Sequence, residues 1–222
     1  SLIINACIAQ KLNVQSAYSS LSKGFLDKAK NYIDPTILDP TTKEWPKTWM
    51  YRGDIYLQIH LSKEEKYNKL DTNALQIAYD SYQKAIELDT KKEYFQDMML
   101  KLYVCGEQYY NKGVELYNQQ KYNDAMTAFD RTASINAIFS LPDSLATYNA
   151  ALCAEFAENY GKALEYYKKL IKINYSKPII YSSMANIYRY RFLDDNPYKK
   201  IDIGTDTATV VKLIGRPDKV GK

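Results

Sequence analysis

The side chains best suited to acid–base, nucleophilic or metal chemistry are few in this 222-residue chain and lie far apart in it. His60 is the only histidine, so no metal site built on several imidazoles is expected. The cysteines Cys7, Cys105 and Cys153 are odd in number and form no CxxC pair, which argues against a disulfide framework and against a zinc or redox motif. We interpret them as small buried apolar residues.

Carboxylates and phosphate-binding loops offer no better starting point for catalysis. The pairs Glu64–Glu65 and Asp194–Asp195 lie in polar turns, where carboxylates usually face water. The chain contains no GxxxxGK[ST], GxGxxG, HExxH or GxSxG motif, the minimal parts of phosphate loops, dinucleotide folds, zinc hydrolases and serine hydrolases. The sequence therefore predicts a protein that is not an enzyme, with no catalytic residues, no metal site and no cofactor.

Composition and charge narrow the class of protein further. Hydrophobic residues make up 46% of the chain and charged residues 25%, a balance typical of a globular protein with a core. The 30 Lys and Arg against 26 Asp and Glu give a net charge of +4, and no basic block is present, so nothing indicates nucleic-acid binding. No apolar run approaches the roughly 20 residues that cross a bilayer. The anomaly is the presence of 22 tyrosines, which the structural elements must explain.

The first residues allow two interpretations. Leu2–Gln10 is similar to the end of a secretory signal peptide, with small residues before a cleavage point near Ala9, although it lacks a charged n-region. The same run also fits the apolar face of a first helix. The first interpretation predicts an exported protein, periplasmic or associated with the envelope, whereas the second is compatible with a cytoplasmic protein.

The elements that follow repeat one helical pattern. Apolar residues at offsets of 3, 4, 7, 10 and 11 recur from Leu75, Tyr122 and Tyr160, with one polar substitution in the second copy. This is the stripe of an amphipathic helix with about 3.6 residues per turn. Each copy has Ala at its second position and an aromatic residue four positions later: Ala78 and Tyr82, Ala125 and Phe129, Ala163 and Tyr167. A small residue beside a large one predicts helices that pack closely in pairs.

A second pattern precedes these helices and is clearest at Trp49-x-x-Arg52-Gly53-x-x-Tyr56, with echoes that start at Tyr109, Thr147 and Tyr181. Together with the Ala-x3-aromatic stripe it resembles the tetratricopeptide repeat (TPR), whose pattern is W-x2-L-G-x2-Y followed by A-x3-F and P. The resemblance implies an all-α fold, an α-α superhelix or TPR-like solenoid of about four degenerate repeats, in a domain spanning residues 1–192.

The repeats depart from the family pattern in residue type and in length. A basic residue, Arg52 in the second repeat, stands in place of the usual Leu. The spacing from Gly53 to Gly113 is 60 residues, whereas the family period is about 34. The excess predicts two insertions: a polar loop or short extra helix at 62–71, and one unusually long helix over 92–119.

The two ends of the chain are less repetitive. The first repeat is predicted as a helix over 10–22 followed, after a turn at Gly24, by a second helix that stops near Pro35. At the other end the repeat spacing disappears, and residues 193–222 form either a C-terminal capping helix or the start of a second small domain. The second interpretation rests on a resemblance of residues 203–217 to the opening helix of SmpA/OmlA-type envelope lipoprotein domains.

The TPR resemblance also implies where a partner binds. In TPR arrays the first helix of each repeat lines a concave groove, which its second, fifth, ninth and twelfth positions face. The predicted partner-binding groove consists of Tyr18, Met50, Asp54, Tyr110, Val114, Tyr117, Tyr148, Leu152, Asn186 and Arg189. Other tyrosines fall at packing positions: Tyr56, Tyr82, Tyr122, Tyr160, Tyr167 and Tyr188. The family's carboxylate clamp, with its K-x3-N and K-x3-R spacing, is not found in register, which disfavours binding of chaperone tails.

Two functions remain open at this point. The first is a non-enzymatic protein–protein interaction scaffold, resembling exported TPR proteins of bacterial envelopes, that holds a peptide or protein segment in the concave groove. The alternative is a carbohydrate- or small-ligand-binding helical envelope protein, in which aromatic side chains stack on sugar rings. A continuous polar and aromatic trough favours the peptide, whereas a single pocket with Trp or Tyr planes favours the sugar.

Overall fold

The computed structural model describes the backbone of residues 2–191 and the side chains of residues 11–189. Over these residues the chain is all-α, with no strand, so the predicted fold class is confirmed at that level. The α-helices are α1 (Leu2–Ser22), α2 (Leu26–Ile33), α3 (Pro46–Leu61), α4 (Glu65–Asn68), α5 (Ala74–Leu88), α6 (Phe95–Asn118), α7 (Tyr122–Ile138), α8 (Ser144–Phe156), α9 (Tyr160–Lys172) and α10 (Pro178–Arg191). None of these helices is both long and apolar enough to span a membrane.

Several predicted elements correspond directly to observed helices. The long helix expected over 92–119 is α6, and the insertion at 62–71 contains the one-turn helix α4. The second helix of the first pair ends at Ile33, and Pro35 lies in the 3-10 segment that follows it. Leu2–Gln10, for which two interpretations were open, has helical backbone as the first part of α1.

Five helix ends share one backbone closure. After α1, α6, α7, α8 and α9 comes a residue with positive φ, and the next N–H donates to the carbonyl five residues before it. The positive-φ residues are Gly24, Gln120, Ser140, Glu158 and Asn174. Only the first of them is glycine, the residue that adopts this conformation without steric cost. Asn174 is the next most common residue type at such a position, whereas the ends at Gln120, Ser140 and Glu158 lack the usual sequence signal of a helix stop.

The chain divides into two compact units, and the boundary between them falls inside α6. The first unit runs from Ser1 to Gln108 and the second from Tyr109 to Lys222. The predicted domain boundary after residue 192, and the predicted capping helix or second domain at 193–222, lie outside the described residues.

In the first unit, α3 and α5 pack closely and run antiparallel, since Trp45 at the start of α3 lies near Leu88 at the end of α5. A Cβ atom on Gly53 would lie 2.6 Å from Cε1 of Tyr82, so the absence of a side chain at Gly53 permits this close approach. The Tyr82 ring is fully buried, and its hydroxyl donates to Oδ1 of Asp54 at 2.8 Å. Small and large residues thus interlock as the repeated stripe predicts.

A half-buried polar cluster connects α2, α3 and α5 in the same unit. The Asp34 carboxylate accepts hydrogen bonds from Nζ of Lys30 at 2.8 Å and from the hydroxyl of Tyr56 at 2.8 Å. Arg52 donates to the same carboxylate at 3.3 Å and to the Ser81 hydroxyl at 3.0 Å. Arg52 can therefore replace the leucine of the repeat pattern because its guanidinium finds acceptors on two neighbouring elements.

In the second unit, α7, α8 and α9 pack in sequence, and α10 packs against α9. A Cβ atom on Gly113 would lie 2.8 Å from Cε1 of Phe129, which repeats the glycine–aromatic contact of the first unit. The core combines small and large side chains, among them Ala125, Ala150, Ala151, Ala154, Ala163, Tyr167, Leu170, Ile180 and Met184. Alanines on adjacent helices allow the close spacing that the larger side chains then fill.

The tyrosines assigned to packing positions contribute to these cores. Tyr56, Tyr82 and Tyr167 are among the largest fully buried side chains. Tyr122, Tyr160 and Tyr188 are half-buried, and the last two pack against the core of the second unit. Part of the tyrosine excess is therefore structural, as the helical spacing predicts.

Candidate functional site

The groove residues predicted in the first unit have mixed surroundings. Tyr18 in α1 is 43% exposed and stacks on Tyr51 of α3, with ring centroids 4.7 Å apart and an angle of 25° between the planes. Met50 is half-buried in α3. Stacking covers one face of each ring, so the exposed part of Tyr18 is smaller than that of an isolated tyrosine.

Asp54 has a mainly structural set of contacts. Its carboxylate accepts the Tyr82 hydroxyl and lies 3.6 Å from Nζ of Lys101, and only 20% of its side chain is exposed. Burial raises the pKa of this carboxyl above its ordinary value because the charged form loses water. The presence of Asp54 at this position is explained by its role as the hydrogen-bond acceptor for the buried Tyr82 hydroxyl.

Two of the tyrosines predicted in the second unit take part in packing. The edge of Tyr110 meets Phe129, with centroids 5.3 Å apart, and Nδ2 of Asn149 donates to the Tyr110 hydroxyl oxygen at 3.2 Å. Tyr148 has tilted ring contacts at 6.5 Å with both Tyr167 and Tyr175. These two tyrosines, predicted as groove residues, therefore also contribute to packing between helices.

Tyr117 is more exposed than Tyr110 and Tyr148, and it belongs to a cluster of three rings. Its centroid lies 5.7 Å from that of Tyr122 and 5.9 Å from that of Phe156, and the latter two rings stack at 5.1 Å. Tyr117 is 37% exposed, Phe156 52% and the adjacent Val114 40%. We call Val114, Tyr117, Tyr122 and Phe156 the aromatic face of the second unit.

The remaining predicted residues lie on α8 and α10. Leu152 is half-buried on α8, one helical turn before Phe156. Asn186 is exposed and Arg189 half-buried on α10. Neither of these α10 residues belongs to the aromatic face.

Sequence reasoning missed Phe156, although a signal for it was present. Tyr148, Leu152 and Phe156 follow one another at intervals of four residues, so they share one side of α8. The groove positions taken from the repeat pattern stop at position twelve and therefore exclude a residue in the last turn of the helix.

A cleft in the first unit was also not predicted. It has a volume of about 400 Å³ and lies between the start of α3 and the loop after α5. Its lining includes the rings of Trp45 and Tyr94 together with Lys47, Lys91 and Glu93. The loop does not belong to the repeat pattern, so the pattern could not bring these residues together.

The two cysteines whose side chains the structure describes are shielded from solvent. Cys105 and Cys153 are buried free thiols, as predicted for two of the three cysteines. Burial raises the pKa of the Cys105 thiol to about 12 and that of Cys153 to about 11, so neither forms a thiolate near neutral pH. In the described part of the chain, no three His, Cys, Asp or Glu side chains are grouped so that they could hold a metal ion.

Comparison with known proteins does not identify a family or a function for this chain. No protein-family model matches the chain, and no curated protein matches it significantly.

Proposed function

We propose that the protein is a non-enzymatic, TPR-like scaffold that binds a peptide or protein segment on the aromatic face of the second unit. The observation that carries the proposal is the three-ring cluster of Tyr117, Tyr122 and Phe156, in which Tyr117 and Phe156 are exposed and Tyr122 is half-buried. The glycine–aromatic contacts at Gly53 and Gly113 support the TPR-like part, because the same interlocking occurs in both units.

The aromatic face has properties that favour recognition of apolar side chains. Tyr and Phe present large rigid surfaces that lose little conformational freedom on binding. The three rings hold one another at centroid distances of 5.1–5.9 Å, so much of their ordering is complete before a partner arrives. Val114 extends the apolar area by a neighbouring turn of α6. The expected partner segment therefore presents apolar side chains of its own.

The first experiment removes the exposed rings and leaves the half-buried ones. In the double variant Tyr117→Ser/Phe156→Ser, we expect loss of partner binding, since anchors of this kind often contribute about 2 kcal/mol or more each. Tyr110 and Tyr148 remain intact because their packing contacts would confuse a loss of binding with a loss of folding. The matched control is Ile138→Ser/Leu141→Ser, which removes two side chains of the same unit that are 45% and 57% exposed.

A photo-crosslinking amino acid at position 114 identifies the partner in cells, and purified partner then provides a binding curve for each variant. The proposal requires a discrete crosslinked product that disappears in the double variant and persists in the control. The two variants must also have the same midpoint of thermal unfolding, so that the difference cannot come from a loss of folding. Unchanged affinity in the double variant, at an unchanged midpoint, would exclude the aromatic face as the binding surface. We further propose an envelope location, which fractionation of the source cells would check.

A second candidate function is binding of a carbohydrate or another small ligand. The cleft between α3 and the loop after α5 favours it, because this cleft is a single pocket that contains Trp and Tyr rings.

A further inference from the structure

The cleft of the first unit is formed by two short segments that the helix pair brings together. Residues 45–47 supply one wall at the start of α3, and residues 88–91, 93 and 94 supply the other at the end of α5 and in the loop beyond it. Its volume of about 400 Å³ lies within the range of about 300–1,000 Å³ found for small-molecule sites. Both walls belong to the first unit, so the cleft shares no residue with the aromatic face of the second unit.

The loop wall is held in shape by one buried carboxylate. Asp89 is only 5% exposed, and its two oxygens accept the backbone N–H groups of Glu93 at 3.0 Å and Tyr94 at 2.8 Å. The N–H of Lys92, which has a φ of 56°, donates to the Asp89 carbonyl at 2.9 Å. These bonds fix the path of the loop, so the cleft does not depend on a mobile segment to form.

A lysine side chain lies beside each of the two rings of the cleft. Nζ of Lys11 in α1 lies 5.0 Å from the centroid of Trp45, and Nζ of Lys47 lies 5.4 Å from that of Tyr94. The side-chain interaction with Tyr94 raises the pKa of the Lys47 ammonium above its ordinary value, as expected for a cation beside this ring. Trp45 and Tyr94 are both half-buried and belong to opposite walls of the cleft.

The polar groups around the rings include both donors and acceptors. Lys47 and Lys91 can donate hydrogen bonds, Glu93 can accept them, and the Thr90 hydroxyl can do both. The lysines are balanced in part by Glu93 and by the buried Asp89, so the cleft is not a site for anions alone. Such a lining suits a ligand that has apolar ring faces and a rim of neutral hydroxyl groups.

We propose that this cleft binds a neutral sugar, a pyranose ring of a mono- or oligosaccharide, between Trp45 and Tyr94. The C–H groups of a pyranose face are apolar and pack against an aromatic ring, while its hydroxyls exchange water for the donors and acceptors of the rim. The sugar site operates whether or not the second unit binds a protein, because its residues all belong to the first unit.

Trp45 makes the test direct, since the chain has only two tryptophans. The reporter is the full chain carrying Trp49→Phe, in which the remaining tryptophan emission comes from Trp45. Glucose, N-acetylglucosamine, maltose and cellobiose are titrated as neutral probes, with glucuronate and inorganic phosphate as anionic probes. We expect a saturable change in emission with at least one neutral sugar, with a Kd of about 1 mM or tighter.

Three further variants assign the signal to the cleft. Tyr94→Ala should weaken the responding sugar by about tenfold or more, as expected for loss of a packing ring. Glu93→Gln should also weaken it by removing a charged acceptor from an exposed side chain, and it guards against the failure of Tyr94→Ala to fold. Tyr32→Ala is the matched control, because Tyr32 is 41% exposed on α2 and does not line the cleft.

Either of two titration results with the reporter would overturn the proposal. One is the absence of any saturable response to the four neutral sugars at about ten times the expected Kd. The other is a response confined to glucuronate and phosphate, which would make the cleft an anion site. A neutral-sugar response that Glu93→Gln and a folded Tyr94→Ala leave unchanged would count against it equally, since the sugar would then be bound elsewhere.

Discussion

Replacing glycine by alanine should lower the stability of the fold at Gly53 and Gly113 but raise it at Gly161. The difference in sign follows from the surroundings of the three glycines. A Cβ atom at Gly53 would lie 2.6 Å from the Tyr82 ring, and one at Gly113 would lie 2.8 Å from the Phe129 ring. A Cβ atom at Gly161, near the start of α9, would meet nothing within 4 Å. All three positions are helical, so helix propensity favours alanine at each.

The magnitudes follow from two opposing terms. Glycine to alanine in a helix gains about 0.5–1 kcal/mol from reduced freedom of the unfolded chain, which should be the whole effect at Gly161. At the other two sites overpacking costs about 1–3 kcal/mol, because both rings are buried and cannot move aside without shifting neighbours. The penalty should be largest at Gly53, where the Tyr82 hydroxyl is also bonded to Asp54. We expect Gly53→Ala and Gly113→Ala to lower the free energy of unfolding and Gly161→Ala to raise it.

Urea unfolding followed by far-ultraviolet circular dichroism measures these changes, and tryptophan emission reports the first unit separately because Trp45 and Trp49 both lie there. The double variant Gly113→Ala/Phe129→Leu tests the mechanism, since a smaller side chain should recover part of the loss with a coupling of about 1 kcal/mol. Equal stabilisation by all three alanines, or no recovery in the double variant, would refute the proposed role of the two glycines in close helix packing.

Two other predictions concern the same cores. Ala78→Leu, Ala125→Leu and Ala163→Leu should each cost about 1–3 kcal/mol by overpacking, because all three alanines are fully buried. Lys69→Ala, at a 71% exposed side chain, should change the urea midpoint little; similar midpoints for the two sets would contradict the observed register. Since burial raises the pKa of Asp54 above 3.8, the folded state binds its proton more tightly, a contribution present below pH 3.8 and lost as the pH rises through the raised pKa. The stability of Asp54→Asn relative to wild type should therefore increase between about pH 3.5 and pH 7, and a constant difference in urea midpoint over this range would contradict that sign.

The candidate site was predicted unevenly because groove and core positions alternate along the same helices. Repeat spacing identified Tyr117, whose ring is exposed, together with Tyr110 and Tyr148, whose rings also pack against core residues. A helical period shows which side of a helix a residue occupies, but it does not show how far a neighbouring helix covers that side. Whether a tyrosine is an anchor or a packing residue depends on that coverage.

The sequence by itself determined the all-α class, the long helix over 92–119 and the residues that interlock, because period and residue size are local properties that survive in any arrangement of the helices. Tertiary structure alone decided the rest. The cleft brings together Trp45 and Tyr94, which lie 49 positions apart in the chain. The aromatic face brings Tyr117 and Tyr122 into contact with Phe156. These features depend on which helices pair and where each one stops, so they arise from packing between distant segments, which no local pattern encodes.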